Sequence, residues 1–240
     1  MRTTLTSYLN KRLREEELVK KVHEENGPVI TISRQVGCNG LKLAGKLAQR
    51  LNRNSTTQKW KVLSKEIFFE SGKKLNLEPD KVKQALKRTE KYTFEEILNA
   101  FNNRSYKSER LIAKSVIDIV RNFAIDGYCI IVGRAGHVIA KDIENAMHIR
   151  LYAPLEYRIN TIMKNNKLSR EEAERFIVKV ESERFAFRKA IRDENVDDDL
   201  FDVYINRESF KDEESIDIIE CSIDKKHILK NFKNKKMEHN

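Results

Sequence analysis

The stretch PVITISRQVGCNGLKLAGKLAQRL, residues 28–51, constrains the fold more than any other part of the chain. It begins with a β-rich run around Ile30 and passes through a loop that contains two glycines. Beyond the loop, apolar residues recur at the spacing of one helical face, at Leu41, Ala44, Leu47, Ala48 and Leu51. The apolar period thus changes from two to about 3.6 within a few residues. This pattern predicts a buried strand, a tight loop and a helix that begins where the loop ends.

The loop between this strand and this helix has the composition of an anion site. Gly37 and Gly40 accept positive φ, and Asn39 tolerates it better than most residues, so the N–H groups can turn inward ahead of the helix. Phosphate is the usual occupant of such a cradle. The loop departs from the GxxxxGK[ST] pattern, because Gly40 stands at the lysine position and Lys42 follows two residues later. An ordinary strand-to-helix turn is the alternative interpretation of the loop alone.

Length and composition indicate a single globular unit. A chain of 240 residues can bury one core, or one core and a small lid. No long apolar run and no signal-peptide core are present, so we expect a soluble, cytoplasmic protein without a membrane partner. Cys38, Cys129 and Cys221 are far apart and have no CxxC spacing, which predicts three reduced thiols. His137 and His148 are interpreted as structural or solvent-facing.

The formal charge of +10 is concentrated at the C-terminus. Residues 225–240 hold six Lys and one Glu, a net charge of +5 and half of the excess. We interpret this segment as a solvated basic tail, and therefore do not expect nucleic acid as a partner, although binding through the tail stays open as an alternative. The remaining charge suits a protein that binds small polyanions, and it equally suits a cationic surface without a specific partner.

The rest of the chain alternates predicted helices and strands. Further strands are predicted at 60–63, 128–132, 146–152 and 202–206. Helices are predicted at 65–75, across 77–107 and at 108–125. They are followed by a helix that begins at Pro154, a helix capped by Ser169 and Glu172, an acidic loop at 193–199 and a closing helix. The residues expected to face inward on the last three helices are Leu155, Ile159, Ile162 and Met163, then Ala173, Phe176, Ile177 and Val180, then Ile216, Ile219 and Ile223. Five strands that alternate with helices predict a doubly wound, mainly parallel α/β sheet.

Arginines stand at two places that suit an anion. Arg134 follows the most hydrophobic run, 128–132, at the edge where open α/β sheets bind ligands. Arg184, Arg188 and Arg192 recur every four residues, which stacks three guanidinium groups on one helical face. An exposed face that pairs with the neighbouring acidic residues is the alternative for this second group.

Six stretches, in this order, resemble the cytidylate kinase-like family, a branch of the P-loop nucleoside monophosphate kinases. They are ITISRQVGCNG at 30–40, SERLIAKSVI at 108–117, CIIVGRAG at 129–136, LYAPLEYRI at 151–159, ESERFAFRK at 181–189 and FDVYIN at 201–206. The resemblance implies a P-loop NTPase-type three-layer fold with a five-stranded parallel sheet. We expect three parts. The first is an N-terminal helical extension at 1–27, which packs on the domain or on a second copy, and the last is the tail at 225–240. Between them lies a kinase-like domain at 28–224, which contains a helical acceptor-side flap at 64–107 and a lid at 167–200.

The same resemblance implies ATP-dependent phosphoryl transfer to a nucleoside monophosphate such as CMP or dCMP, with Mg²⁺. The protein's part in such a reaction is to position two polyanions and neutralise their charge. Gly40 and Lys42 stand where the kinases carry Lys and Ser/Thr. We therefore predict either a kinase in which Arg34 replaces that lysine, or a nucleotide-binding regulatory protein without activity.

The resemblance assigns site residues to three groups. Those on the donor side are Arg34, Gly37, Cys38, Asn39, Gly40, Leu41, Lys42 and Arg158. Those on the acceptor side are Arg110 and Arg134. Arg184 and Arg188 close over the transferred phosphoryl group and act in catalysis together with Arg34. Plain helix-surface positions are the alternative for Arg110 and Arg158, and a solvent-facing side chain is the alternative for Lys42.

Overall fold

A computed structural model describes four parts of the chain, residues 27–54, 58–64, 109–191 and 200–229. Several predictions fall outside these ranges. They are the N-terminal extension, the helices between residues 65 and 108, the acidic loop at 193–199, Arg192, and most of the basic tail.

A sheet of five parallel strands lies at the centre of the fold. The strands are β1 (Val29–Arg34), β2 (Lys61–Leu63), β3 (Cys129–Val132), β4 (Ala146–Tyr152) and β5 (Val203–Asn206). Their order is β2-β3-β1-β4-β5, and every neighbouring pair is parallel. In the middle strand, Ile32 is registered with Val132 of β3 and Ile149 of β4. The predicted five-stranded parallel sheet is confirmed.

Helices cover both faces of this sheet. In the described ranges they are α1 (Gly40–Asn54), α2 (Glu109–Asp126), α3 (Gly136–Ile139), α4 (Leu155–Asn166), α5 (Arg170–Ile191) and α6 (Asp212–Lys226). Val29 of β1 packs into an apolar cluster with α2 and α3, whereas Ile30 and Ile32 pack into a second cluster with α1 and α6. Because successive side chains of a strand point to opposite faces, this alternation produces the predicted three layers. The short helix α3 was not predicted.

The predicted inward faces of the helices are largely confirmed, with two corrections. Leu41 is 40% exposed and Leu155 is 51% exposed. Both lie in the first turn of a helix that starts at the carboxyl edge of the sheet, where the helix has not yet reached the layer of strand side chains. In α1, Leu43 fills the core instead and is fully buried.

The helices α4 and α5 pack against each other over a third apolar cluster. This cluster contains Val36 from the loop after β1, together with Ile159, Ile162, Ala173, Ile177 and Val180. At the start of α5, the Ser169 N–H donates to Glu172 Oε2 at 2.8 Å, and the Glu172 N–H donates to Ser169 Oγ at 3.2 Å. The predicted capping box is therefore confirmed. In the described ranges, no helix has the length and apolarity needed to cross a membrane.

The two histidines singled out in the sequence are both buried. His148 Nδ1 lies 2.7 Å from Thr31 Oγ1, across the pairing of β1 with β4. The ring of His137 stacks on that of Phe201, with centroids 4.5 Å apart. Both side chains are thus structural, and the solvent-facing alternative is wrong because each ring is held inside the core.

Candidate anion-binding site

The loop between β1 and α1 crosses the carboxyl edge of the sheet. Gly37 has φ +94° and Asn39 has φ +49°, so both adopt the left-handed backbone that the sequence predicts. Gly40 does not adopt positive φ, and it forms the first residue of α1. The expectation of positive φ at Gly40 is therefore wrong, and glycine there serves a different need, which is space.

Hydrogen bonds fix the first half of the loop to β4. The Gln35 N–H donates to the Leu151 carbonyl oxygen at 3.0 Å. The Gln35 side-chain Oε1 accepts the Ala153 N–H at 3.0 Å. The Cys38 N–H donates back to the Gln35 carbonyl at 3.3 Å, which closes a turn. Gln35 is thus an anchor for the loop, and the sequence did not single it out.

The second half of the loop rests on α4 and α5. A Cβ on Gly37 would lie 2.8 Å from the Cα of Arg158, so only glycine permits this approach of the two backbones. The Val36 N–H donates to Glu181 Oε1 at 2.7 Å, and Asn39 Oδ1 accepts from Asn165 Nδ2 at 2.9 Å. Both halves of the loop are therefore held from outside before any ligand arrives.

The side chain of Arg34 joins this loop to the end of β3. It passes over Gly40, where a Cβ would lie 3.1 Å from Arg34 Cγ. Its guanidinium then reaches Gly133, where a Cβ would overlap Nη1. Gly133 has φ +76° and directly precedes Arg134. The cation of Arg34 consequently lies between the loop after β1 and the arginine after β3.

Further arginines surround Arg34. Burial, followed by the charges of Arg184 and Arg134, lowers the pKa of Arg34 well below its usual value. Arg184 Nη1 donates to the Arg34 carbonyl oxygen at 3.0 Å. Burial lowers the pKa of Arg184 as well, and the charges of Arg150 and Arg188 act in the same direction. The arginine cluster therefore contains Arg34, Arg134, Arg150, Arg184 and Arg188.

A carboxylate and a hydroxyl accompany the arginine cluster. Glu181 opposes the lowering of the pKa of both Arg34 and Arg184, although burial outweighs it at each. Arg150 Nη1 donates to Ser33 Oγ at 2.6 Å, and its guanidinium lies 5.8 Å from the centroid of the Phe201 ring. Like charges that share a partly buried site destabilise one another. An anion placed among them would relieve that repulsion, so the site is suited to a polyanion.

The position of the site agrees with the general rule for parallel sheets. The loop follows β1, Arg134 follows β3, and Arg150 lies near the end of β4, so all three stand at the carboxyl edge of neighbouring strands. The ligands of open α/β sheets bind at this edge.

The chain matches a known family over most of its length. A model of the Cytidylate kinase-like family matches residues 29–209. The chain belongs to the cytidylate kinase-like family. The match includes all five strands, the loop and the arginine cluster, and it confirms the family resemblance stated from the sequence.

Two solved structures were compared with the chain. A crystallised uncharacterized protein from Eubacterium ventriosum ATCC 27560 superposes with a TM-score of 0.59 at 18% identity, over 82% of this chain and 98% of that chain. Shikimate kinase from Bacteroides thetaiotaomicron gives a TM-score of 0.43 at 12% identity, over 86% of this chain and 98% of that chain. No match was found among curated proteins.

Some residues assigned to the family site lie at its margin. Lys42 Nζ is 3.7 Å from Asp212 Oδ2 of α6, and the Lys42 side chain is largely exposed. Leu41 is exposed beside it. The backbone of Arg110 belongs to α2, and its side chain falls outside the part that the structure describes. The side chains of Lys42 and Leu41 therefore add little to the arginine cluster, and the role of Arg110 stays a prediction.

Two other assigned residues lie inside the site. Arg158 Nε donates to the Ala153 carbonyl at 3.1 Å, and its Nη1 is 3.9 Å from Glu181 Oε1. Cys38 is buried within the loop, and burial raises the pKa of its thiol to about 11. Cys38 is therefore a neutral, packed thiol at neutral pH.

The described residues do not form a metal centre of their own. In residues 27–54, 58–64, 109–191 and 200–229, no group of three His, Cys, Asp or Glu is placed to hold a metal ion.

Proposed function

We propose that this chain transfers a phosphoryl group from Mg·ATP to a nucleoside monophosphate of the cytidylate type, CMP or dCMP, with Arg34 in the role of the missing lysine. The observation that supports this most strongly is the path of the Arg34 side chain across Gly40 to Gly133.

This path indicates an exchange of residue types between two positions. When the GxxxxGK[ST] pattern is laid with its lysine on Gly40, its first glycine falls on Arg34. The long cation and the small residue have thus changed places. A side chain at position 40 would meet Cβ, Cγ and Cδ of Arg34 at 3.1–3.4 Å, so glycine there leaves room for the arginine. In this proposal one cation still reaches the donor phosphates, from the opposite side of the loop.

The remaining arginines divide the other tasks. Arg134 holds the acceptor's monophosphate by a two-pronged contact, with Arg110 in support. Arg184 and Arg188 neutralise the charge on the group in transfer. Phosphoryl transfer asks the protein mainly for positioning and for neutralisation of charge, and five guanidinium groups around a loop at a helix N-terminus suit that demand.

The exchange can be tested by reversing it. ADP formation is measured with Mg·ATP and, in turn, CMP, dCMP, UMP and AMP, for the wild type, Arg34→Ala, Gly40→Lys and the double variant Arg34→Gly/Gly40→Lys. We expect turnover by the wild type with CMP or dCMP, and a loss of roughly 10²- to 10³-fold in Arg34→Ala, by analogy with a lost transition-state donor. Gly40→Lys alone should also lose activity because its side chain displaces Arg34.

The double variant decides whether the two positions are exchanged. It is expected to recover activity well above either single variant, since it rebuilds a lysine at position 40 with space around it. Arg175→Ala is the matched control, because Arg175 is an exposed arginine of α5 outside the arginine cluster. Equal activity of Arg34→Ala and wild type, or no turnover with any acceptor, would contradict the proposal.

A regulatory protein that binds nucleotide without turning it over is a second candidate. The observation in its favour is that Arg184 and Arg158 donate to backbone carbonyls, of Arg34 and Ala153 respectively. These guanidinium groups contact the backbone at the end of β1 and after β4, in addition to any role toward a substrate. This candidate predicts that ATP or CMP raises the melting temperature while no ADP forms. Turnover that Arg34→Ala abolishes rules it out.

A further inference from the structure

Glu181 of α5 brings a carboxylate into a site otherwise built from cations. Its Oε1 accepts the Val36 N–H at 2.7 Å and lies 3.9 Å from Arg158 Nη1. Val36 itself lies in the loop, and its side chain is buried in the apolar cluster of α4 and α5. Glu181 thus contacts the loop backbone from a position 145 residues further along the chain than Val36.

A carboxylate is a paradoxical choice at this place. A negative charge beside an anion-binding loop repels the anion, and at close range in a partly buried site that repulsion is appreciable. A purely electrostatic account therefore makes Glu181 a residue that weakens binding. Its geometry indicates the opposite role.

We propose that Glu181 is a positioning residue for polyphosphate binding, and that it acts through the reach of its side chain to the Val36 N–H. This inference deepens the proposed function and rests on it, since the ligand in question is the donor polyphosphate. Glu181 holds the loop in the shape in which the backbone of residues 37–40 and the arginine cluster face one ligand.

The hydrogen bonds along the loop show why the reach matters. The Gln35 N–H donates to the Leu151 carbonyl oxygen, and the Cys38 N–H donates to the Gln35 carbonyl oxygen. Val36 lies between them with its side chain held in the apolar cluster, so its N–H is inside the fold and needs an acceptor. Glu181 supplies that acceptor. Without it the loop must shift to find water, and the close packing of Gly37 on Arg158 would shift with it.

Two conservative variants separate reach from charge. Glu181→Gln keeps the length and an acceptor oxygen but removes the charge. Glu181→Asp keeps the charge but shortens the side chain by one methylene, which withdraws the carboxylate from the Val36 N–H. Positioning predicts that the Asp variant binds polyphosphate weakly and the Gln variant binds it well. Electrostatics alone predicts that the Gln variant binds more tightly than wild type and the Asp variant is unchanged.

The experiment is isothermal titration of inorganic tripolyphosphate and of Mg·ATP into the full chain at fixed ionic strength, with the melting temperature of each variant recorded. We expect Kd to rise by about tenfold or more in Glu181→Asp, as for the loss of one hydrogen bond to a charged group. Glu181→Gln should stay within about threefold of wild type by the same scale. Glu174→Asp, a glutamate of α5 that pairs with Arg170 at the surface, is the matched control and should leave Kd unchanged.

The outcomes distinguish this inference from the proposed function. If the wild type binds neither probe, both fail. If the wild type binds and Glu181→Asp binds equally well, the positioning role alone is overturned. If the Asp variant does not fold, the Gln variant decides, because a Kd about tenfold below wild type would show that the charge dominates, whereas an unchanged Kd supports the role of reach.

Discussion

Gly133→Ala is the substitution that probes the placement of Arg34 most sharply. Gly133 has φ +76°, and a Cβ there would overlap Nη1 of Arg34. A non-glycine residue in left-handed backbone costs about 1–2 kcal/mol. Moving the guanidinium aside adds about 0.5–1.5 kcal/mol for a displaced rotamer. We therefore expect the free energy of unfolding to fall by about 2–3 kcal/mol, and the melting temperature by on the order of 5–10 °C for a chain of this size.

A double-mutant cycle separates the two contributions. In Arg34→Ala/Gly133→Ala the methyl group has room, so only the backbone strain remains, and the two substitutions should couple by about 1 kcal/mol. Urea denaturation followed by circular dichroism measures all four proteins. Gly45→Ala is the matched control: Gly45 lies inside α1 with no atom near its would-be Cβ, and alanine there should stabilise by up to about 1 kcal/mol.

The same variants give a functional readout. Since the methyl group at position 133 displaces the guanidinium, Gly133→Ala should weaken tripolyphosphate binding by about as much as Arg34→Ala, tenfold or more. A Gly133→Ala protein as stable as wild type, or a cycle without coupling, would refute the contact between Arg34 and Gly133. Loss of stability with unchanged binding would refute the role of Arg34 as a ligand.

Two further predictions concern the stability of the fold. Burial lowers the pKa of His148 to about 4, so only the unfolded chain gains a proton there between pH about 6.5 and 4. The free energy of unfolding contributed by His148 should therefore be steady above pH about 6.5 and fall by on the order of 3 kcal/mol as the pH drops to about 4. Urea denaturation at pH 7.5 and at pH 4.5 measures this fall. The fall should shrink in His148→Gln, and an equal fall in that variant would contradict the assignment. Arg207 is buried, donates to the Phe210 carbonyl at 2.9 Å and pairs with Asp212 at 2.5 Å. Arg207→Met should therefore lower the free energy of unfolding by about 3 kcal/mol, measured by the same urea denaturation. A decrease below about 1 kcal/mol would contradict the structural role of Arg207.

Local patterns in the sequence predict the five strands and the longer helices of the described residues. The run at 128–132 is apolar on both faces, and β3 is indeed buried throughout. The periodicities of α5 and α6 placed Ile177 and Ile219 correctly in the core. The predicted burial of Leu41 and Leu155 is wrong because periodicity shows only which side of a helix a residue faces. Burial also depends on whether that turn of the helix lies over the sheet or beyond its edge. First turns at the carboxyl edge stand beyond that layer.

The site was less accessible to such patterns because its contacts are remote in sequence. Arg34, Arg134, Arg184 and Arg188 were selected from the loop, the strand end and the helix repeat, and the structure brings these four together. Arg150 and Glu181 are not predicted as site residues, since Arg150 lies within a mostly apolar strand and Glu181 is one of the acidic neighbours that offer the arginines of α5 surface ion pairs. Their contacts to Ser33 and Val36 span 117 and 145 positions, so no local period encodes them. A charged residue inside a predicted strand of a parallel sheet is the sequence signal for Arg150.

The most direct measurement is a crystal structure of the protein with Mg²⁺ and a non-hydrolysable ATP analogue. The proposal predicts that phosphate oxygens lie within hydrogen-bond distance of the Arg34 guanidinium and of N–H groups of residues 37–40, with Arg134 and Arg184 on the same ligand. A triphosphate bound elsewhere, or an Arg34 that makes no phosphate contact while the nucleotide fills this loop, would contradict it.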